Sequence, residues 1–397
     1  SLNFLPVAGY QQFAIGLLVV AIIAGALFVF QQRRAENPLY DLKIARRRPF
    51  WVAAVAGIIA SQSTVCARFA RETPGSAYDK HKIKRVDRLL GNEGFVVDAV
   101  FAALLRLLRL DRREEIVLAV DWTLVGRFEV LFTSVVHCGR TLPLQWTVID
   151  PTKTRKANAQ RRHMQTLKEL LGPCAKRVKV LFDAGFDDND FLSEVVSRLG
   201  FGVVVRSSPS ACFKSEGEAW FKLSELELKR GVCLDLGWGE YTKSHAFPIR
   251  IVALHDHKQK KPWLLLTNLD HESRDIVSFY GRRFTIEETF KDIKAVRGGM
   301  QLKGCLVKTA DRLSRLIALD VLAYWMMSAI GKDGERRGEH RKMQANTTKR
   351  RVLALWRVGC TLMRRNSFTA VRLLDLLNDL FTVPINNRRG DPMQCVM

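Results

Sequence analysis

The 397-residue sequence contains no Cys-x-x-Cys pair, although it has eight cysteines. None of them is spaced as in a zinc site, so we expect reduced thiols, no disulfides and no structural zinc. Acidic residues are also scarce: 40 Asp and Glu stand against 63 Lys and Arg, which gives a formal net charge of +23. A surplus of this size predicts a polyanionic partner, either nucleic acid or an anionic membrane surface.

The composition predicts a chain that is mostly folded. Hydrophobic residues make up 47% of the sequence and charged residues 26%, which excludes wholesale disorder and allows a sizeable core. The length predicts two or three domains. Internal repeats and low-complexity tracts are lacking.

The first 60 residues differ from the rest. Residues 13–30 form an uncharged run, FAIGLLVVAIIAGALFVF, long enough to span a membrane, and arginines follow it on the side expected to be cytoplasmic. A second apolar run, 51–60, is roughly half as long as a span requires. With the intervening NPLYDLKIARRRPF, residues 1–60 resemble one complete and one truncated span of a multidrug exporter of the major facilitator superfamily. The resemblance implies a fragment without transport activity and membrane association through residues 13–30; a genuine single-pass anchor is the alternative.

The remainder reads as a mixed α/β sheet followed by helices. Strand-like runs, a helix and further strands come first; a β-rich insertion follows, and the chain then becomes helical. The predicted strands are 115–123, 130–139, 141–150 and 178–186, the predicted insertion is 212–270, and the predicted tail helices are 311–330, 349–364 and 368–381.

Two of the buried strands end in an aspartate. Asp121 follows the run VLAV and Asp183 follows VLF. Open α/β sheets bind ligands beyond the carboxyl ends of their strands, so acids at these positions favour a functional site. The alternative for each residue alone is a turn cap.

A third acid lies in the stretch FYGRRFTIEETFKDIK, predicted to be one helix. At about 100° per residue, Tyr280, Arg283, Glu287 and Lys294 fall within a stripe about 60° wide. Taken alone, Glu287 and Lys294 also fit a solvated helix face.

The three acids suit one chemistry. Cleavage of a phosphodiester by two divalent metal ions requires several carboxylates that converge on the ions. Asp121, Asp183 and Glu287 can supply this cage, and oxygen ligands favour Mg²⁺ or Mn²⁺.

The order Asp, Asp, Glu, with Tyr-x2-Arg-x3-Glu-x6-Lys around the last acid, resembles bacterial insertion-sequence transposases of the DDE class over residues 76–381. The resemblance implies a core fold like ribonuclease H and a catalytic triad, Asp121, Asp183 and Glu287, with two Mg²⁺ or Mn²⁺ ions per active site. It further implies a set of residues that bind DNA: Tyr280, Arg283 and Lys294 on phosphates, and Trp263 stacked on a flipped base. An ordinary core position is the alternative for Trp263. The basic cluster Lys82, Lys84, Arg85 and Arg88 is expected to bind DNA as well.

The function implied is cut-and-paste DNA transposition by a homodimer that binds double-stranded element ends with inverted repeats, and target DNA. The expected location is the bacterial cytoplasm, on the nucleoid, or at the membrane if residues 13–30 anchor the chain. Two alternatives are a catalytically inactive DNA-binding remnant and a membrane-tethered chimera. The predicted domains are the exporter-like fragment 1–60, a residual helical DNA-binding region 61–112, the first part of the catalytic core 113–211, the β-rich insertion 212–272, the catalytic-core helix 273–310 and the C-terminal helical region 311–397.

Overall fold

The computed structural model describes residues 50–109, 113–257 and 259–365, together with Leu376. The membrane span predicted at 13–30 therefore lies outside the described residues. The chain divides into two compact units, with boundaries after Leu108 and Phe290. We call them the helical unit (described residues 50–108, 291–365 and Leu376) and the sheet unit (described residues from 109 to 290).

The described helices and strands follow each other along the chain as predicted for an α/β protein. The helices are α1 Phe50–Ser61, α2 Cys66–Arg71, α3 Asp79–Gly91, α4 Val97–Leu107, α5 Lys156–Leu171, α6 Asn189–Ser193, α7 Ser273–Arg283, α8 Thr285–Lys294, α9 Ala310–Arg336 and α10 Leu355–Arg365. The strands are β1 Ile116–Val125, β2 Phe128–His137, β3 Arg140–Ile149, β4 Val178–Phe182, β5 Gly202–Arg206, β6 Cys212–Ser215, β7 Phe221–Lys222, β8 Cys233–Tyr241, β9 Phe247–Leu254 and β10 Trp263–Thr267.

One mixed sheet holds all ten described strands, in the order β3-β2-β1-β4-β5-β10-β9-β8-β6-β7. Strands β1, β4 and β5 run parallel, and every other neighbouring pair is antiparallel. The predicted mixed α/β sheet is confirmed. The strands of the β-rich segment continue this sheet, because β10 pairs with β5.

The centre of the sheet is apolar on both faces. The first five residues of β1 and all five of β4 are buried, as expected for strands covered on both sides. On one face, His163 of α5 lies between two threonines: Nε2 is 2.7 Å from Thr133 Oγ1, and Nδ1 is 2.8 Å from Thr147 Oγ1. Burial lowers the pKa of His163 to about 3, so a neutral imidazole joins α5 to β2 and β3.

Helix α7 packs on the sheet through a continuous apolar cluster. Its Ile276, Phe279 and Tyr280 meet side chains of five strands, including Leu181 of β4 and Leu265 of β10. Removal of this apolar surface from water is favourable in free energy, and it holds the helix against the sheet. The residues at the end of α7 are therefore held at a defined place beside β1 and β4.

The single helix predicted around Glu287 is interrupted. Helix α7 ends at Arg283 and α8 begins at Thr285. The Thr285 hydroxyl donates a hydrogen bond of 2.6 Å to the carbonyl oxygen of Arg282, and such side-chain bonds compete with the regular helical pattern. Arg283 and Glu287 nevertheless remain paired across the break.

The apolar run 51–60, predicted to be a truncated membrane span, is instead the core helix α1 of the helical unit. Val55 and Ile58 are fully buried. At Gly57 an added Cβ would lie 2.3 Å from the Phe69 carbonyl oxygen, so α1 and α2 approach closely. Ten apolar residues are too few to cross a bilayer and suffice for a buried helix. The boundary predicted after residue 60 therefore falls inside this helix.

Helix α9 is the central element of the helical unit. By length and composition it is, among the described helices, the one able to cross a membrane, but 83% of its apolar window is buried inside the protein. It meets α10 backbone to backbone: an added Cβ would lie 1.9 Å from Leu355 O at Gly331, and 1.8 Å from Met327 O at Gly359. It also extends beyond the predicted 311–330, whereas the helix predicted at 368–381 lies outside the described residues except for Leu376.

Candidate active site

Two of the predicted acids lie side by side where the parallel pairing of β1 and β4 ends. Asp183 directly follows β4, as predicted, whereas β1 does not end at Asp121 and continues to Val125 through its pairing with β2. Ala119 of β1 pairs with Leu181 of β4, and Asp121 and Asp183 each come two residues later. Asp121 Oδ1 accepts a hydrogen bond of 2.7 Å from the backbone N–H of Trp122. Asp183 Oδ1 accepts one of 2.9 Å from Gly185, so the turn cap considered from the sequence is present as well.

The third acid, Glu287, lies in the first turn of α8. Helix α8 is fixed to β3 by Thr289, whose Oγ1 accepts a hydrogen bond of 2.8 Å from the backbone N–H of Thr141. The ring of Phe290, in the same helix, lies 5.6 Å from that of Phe132 on β2. The half-exposed carboxylate of Glu287 pairs with Arg283.

Arg283 joins two of the acids. Its Nη1 lies 3.2 Å from Asp121 Oδ2, and its Nη2 lies 2.9 Å from Glu287 Oε1. The guanidinium side chain is 7% exposed and lies 4.6 Å from the Phe284 ring centroid. Burial disfavours its charge, but Tyr280, Asp121 and Glu287 outweigh burial and raise the pKa of Arg283. It is therefore a charged counter-ion at the point where the acids meet.

The other two acids act on the pKa of Asp121. Burial, and then the negative charge of Asp183, raise this pKa to about 6, although Arg283 acts in the opposite direction. Glu287 contributes a smaller effect of the same sign as Asp183. A carboxyl whose pKa is raised by burial and by neighbouring negative charges indicates a functional site, because strongly shifted pKa values cluster at such sites.

The donor set fits a hard divalent cation. Asp121, Asp183 and Glu287 offer carboxylate oxygens without thiolate or imidazole, as Mg²⁺ and Mn²⁺ prefer. Within the described ranges no three such side chains are arranged closely enough to hold an ion as they stand. The Arg283 guanidinium instead binds Asp121 and Glu287. A metal ion held by these two carboxylates would take the place of this guanidinium.

Two other predicted site residues are more buried than expected. Tyr280 is 1% exposed, and burial raises the pKa of its hydroxyl. Trp263 is 8% exposed, stacks on Phe284 at 5.7 Å, and meets Tyr280 edge-on at 4.9 Å. The structure places Trp263 in the core position that the sequence offered as the alternative, and its base-stacking role stays a prediction. Its central strand β10 places the indole in the core between the sheet and α7.

The remaining predicted DNA-binding residues lie in the helical unit. Lys294 ends α8, about two turns after Glu287. The basic cluster is on α3, where Lys84, Arg85 and Arg88 are exposed and Lys82 donates a hydrogen bond of 3.1 Å to the Arg71 carbonyl oxygen.

Arg206 is a site residue that the sequence reasoning missed. It ends β5, is half-buried, and acts electrostatically on the hydroxyl of Tyr280. The signal was a basic residue directly after the buried run VVV, at the carboxyl end of a central strand. A third parallel strand therefore places a positive charge near Tyr280.

Comparison with known proteins identifies the domain family of the chain. Curated protein sequences give no match. Among solved structures, a piggyBac transposase synaptic complex with hairpin DNA, determined by cryo-electron microscopy, shows 11% identity and a TM-score of 0.39 over 96% of this chain and 83% of that chain. A likeness of this degree supports no conclusion about fold or function. Residues 112–326, more than half of the chain, match the transposase DDE domain. The chain belongs to the transposase DDE domain family.

Proposed function

We propose that this DNA transposase cleaves DNA at the ends of an insertion sequence and joins the released 3′ ends to target DNA, using Asp121, Asp183 and Glu287 with two divalent metal ions. The observation that carries the proposal is that Arg283 bridges Asp121 and Glu287, while the charge of Asp183 acts on the same Asp121 carboxyl. These acids come from β1, α8 and the end of β4, which are far apart in the sequence.

The topology supports the same reading. The part of the sheet ordered β3-β2-β1-β4-β5, with β2 antiparallel and β4 parallel to β1, is the arrangement of a ribonuclease-H-like core. In such a core β1 and β4 are neighbours, and here Asp121 lies within β1 and Asp183 directly after β4. We therefore take the sheet unit as the catalytic core, with β6–β9 as an extension of its far edge.

In the proposed mechanism the carboxylates hold the metal ions, and the surrounding positively charged side chains bind the DNA. The ions, when bound, supply Lewis-acid activation of the attacking water and stabilise the leaving oxygen. Arg283, once released from Asp121 and Glu287, has its guanidinium available for a DNA phosphate, and Arg206 presents a second positive charge nearby. The Tyr280 hydroxyl and Lys294 complete the proposed phosphate contacts. A 3′ hydroxyl released by the first cleavage then serves as the nucleophile for strand transfer.

A nicking assay tests this function. The full chain is incubated with linear duplex DNA that carries the element's terminal repeats, in Mg²⁺ or in EDTA, and strand breaks are mapped on a denaturing gel. We expect nicks at the element ends in Mg²⁺ alone. Asp121→Ala, Asp183→Ala and Glu287→Ala should each abolish nicking while end binding in EDTA remains.

The matched control is Asp188→Asn. Asp188 is 65% exposed and caps α6 by accepting a hydrogen bond from the Phe191 N–H, a role that asparagine can take over. This variant should nick like the wild type. Nicking that survives loss of the acids would refute the assignment, whereas binding without any nicking by the wild type would identify a catalytically silent DNA-binding protein.

A further inference from the structure

A polar cleft in the helical unit is separate from the carboxylate site. It lies where the end of α1, the loop after α8 and one face of α10 meet, and its volume is about 320 Å³. The residues that line it include Gln62, Gly298, Gln301, Arg357, Thr361 and Arg364. None of the lining residues is acidic.

The cleft is rich in hydrogen-bond donors. Arg357 and Arg364 are seven residues apart on α10, which places them on one face with Thr361 between them. Among the described residues neither arginine forms an ion pair. The Arg357 guanidinium lies 5.2 Å from the centroid of the Trp356 ring, so the aromatic face supports it.

Trp356 adds an unsatisfied donor. It also lines the cleft, is 3% exposed, and its Nε1–H has no acceptor in the described part of the chain. Buried N–H groups are normally paired, so this one indicates an acceptor outside the described residues. Two guanidinium groups that form no ion pair with any described residue line the same cleft as this tryptophan.

The loop after α8 is shaped to let Arg357 approach. Gly298 has a φ of +74°, and an added Cβ would lie 2.7 Å from Arg357 Nη2. Glycine is thus required there both for the backbone conformation and for the position of the guanidinium.

We propose that this cleft binds a phosphodiester group of the DNA backbone, with Arg357 and Arg364 as its charged donors. The inference rests on the proposed function only in that DNA is the partner. A cleft lined by cationic donors without any carboxylate matches an anion, and guanidinium groups bind phosphate oxygens in paired hydrogen bonds. The surplus charge of +23 makes a polyanion the expected ligand.

Salt-dependent DNA binding tests the proposal. The full chain, carrying Asp121→Asn to prevent cleavage, is titrated in EDTA against a fluorescein-labelled DNA duplex, and anisotropy gives Kd between 50 and 200 mM KCl. Each lost phosphate contact lowers the slope of log K against log salt by about 0.9. For Arg357→Gln and for Arg364→Gln, the ratio of variant to wild-type Kd should therefore fall about 3.5-fold across this range.

Arg365→Gln is the matched control, because Arg365 is exposed on the same helix and about 100° away from Arg364. It should keep the wild-type slope. Arg357→Lys should keep it too, since the charge remains, and this separates a lost contact from a folding defect.

Equal slopes for the three glutamine variants would overturn the proposal. A lower salt slope of the Arg357→Gln and Arg364→Gln variants with an RNA duplex but not with the DNA duplex would also overturn the proposal. So would quenching of tryptophan fluorescence by inorganic phosphate if the variants bind DNA like the wild type. Because cleavage is not measured, these outcomes are independent of whether the three acids support nicking.

Discussion

Replacement of Asp121 by asparagine should stabilise the protein while it abolishes cleavage. The folded state raises the pKa of this carboxyl from 3.8 to about 6, through burial and the charge of Asp183. One pKa unit corresponds to about 1.4 kcal/mol, so the ionised carboxylate costs the metal-free fold at most about 3 kcal/mol. Asparagine has nearly the same shape without the charge.

The attraction of Arg283 is already contained in this pKa, and Glu287 still pairs with the guanidinium in the variant. We therefore expect Asp121→Asn to raise the free energy of unfolding by about 1 to 3 kcal/mol at pH 7.5 in EDTA. For a unit of this size, 2 kcal/mol corresponds to a rise of roughly 4 to 8 °C in Tm.

The pH dependence checks the cause. Between pH 3.8 and about 6 the folded state holds a proton on Asp121 that the unfolded chain has released, so wild-type stability falls as pH rises through this window and the cost is complete above it. The advantage of the variant should consequently be largest above pH 6 and nearly absent at pH 4.

Urea unfolding followed by fluorescence at several pH values measures this difference. Asp188→Asn removes one exposed carboxylate and should change the stability by less than about 0.5 kcal/mol. A variant no more stable than the wild type at pH 7.5, or a gain that is the same at pH 4, would show that Asp121 is not an electrostatically strained residue.

Three further predictions concern the fold. Because burial holds His163 neutral, the free energy of unfolding should fall as the pH drops below the pKa of this histidine in the unfolded chain, by about 2 kcal/mol at pH 5. His163→Gln should remove this part of the pH dependence, as measured by urea titrations at several pH values. A chain of residues 50–397 should fold. A chain of residues 61–397 lacks the buried side chains of α1, so its free energy of unfolding should fall by roughly 5 kcal/mol or more and it should aggregate. Gel filtration distinguishes the folded chain from the aggregate. Gly359→Ala should destabilise the α9–α10 contact by about 3 kcal/mol, whereas Gly281→Ala, with open space around its Cβ, should be neutral or slightly stabilising in thermal unfolding.

The strands and two of the acids were accessible from the sequence because their signals are local. β-rich runs such as 130–139 and 141–150 predicted β2 and β3 to within a few residues. Asp121 and Asp183 were singled out because each follows a buried run, whereas the parallel register that brings them together joins segments about 60 residues apart.

The remaining features depend on contacts between distant segments. The break at Phe284 follows from a side-chain hydrogen bond of Thr285, and helical periodicity contains no trace of it. Burial of Trp263 depends on β10 lying between β5 and β9, which composition does not reveal. An apolar run such as 51–60 has the same composition in a membrane and in a protein core, so only its packing identifies it.

The most direct test of the metal-dependent active site is a change of metal preference at one acid. Asp183→Cys replaces a carboxylate oxygen with a soft thiolate, which Mg²⁺ binds poorly and softer ions accept. Nicking of element-end DNA is measured for the wild type and this variant in Mg²⁺ and in Mn²⁺ with traces of Cd²⁺. If Asp183 holds the metal, the wild type nicks in both solutions and the variant nicks only in the second. Nicking by Asp183→Cys in Mg²⁺ at the wild-type rate would contradict the proposed site.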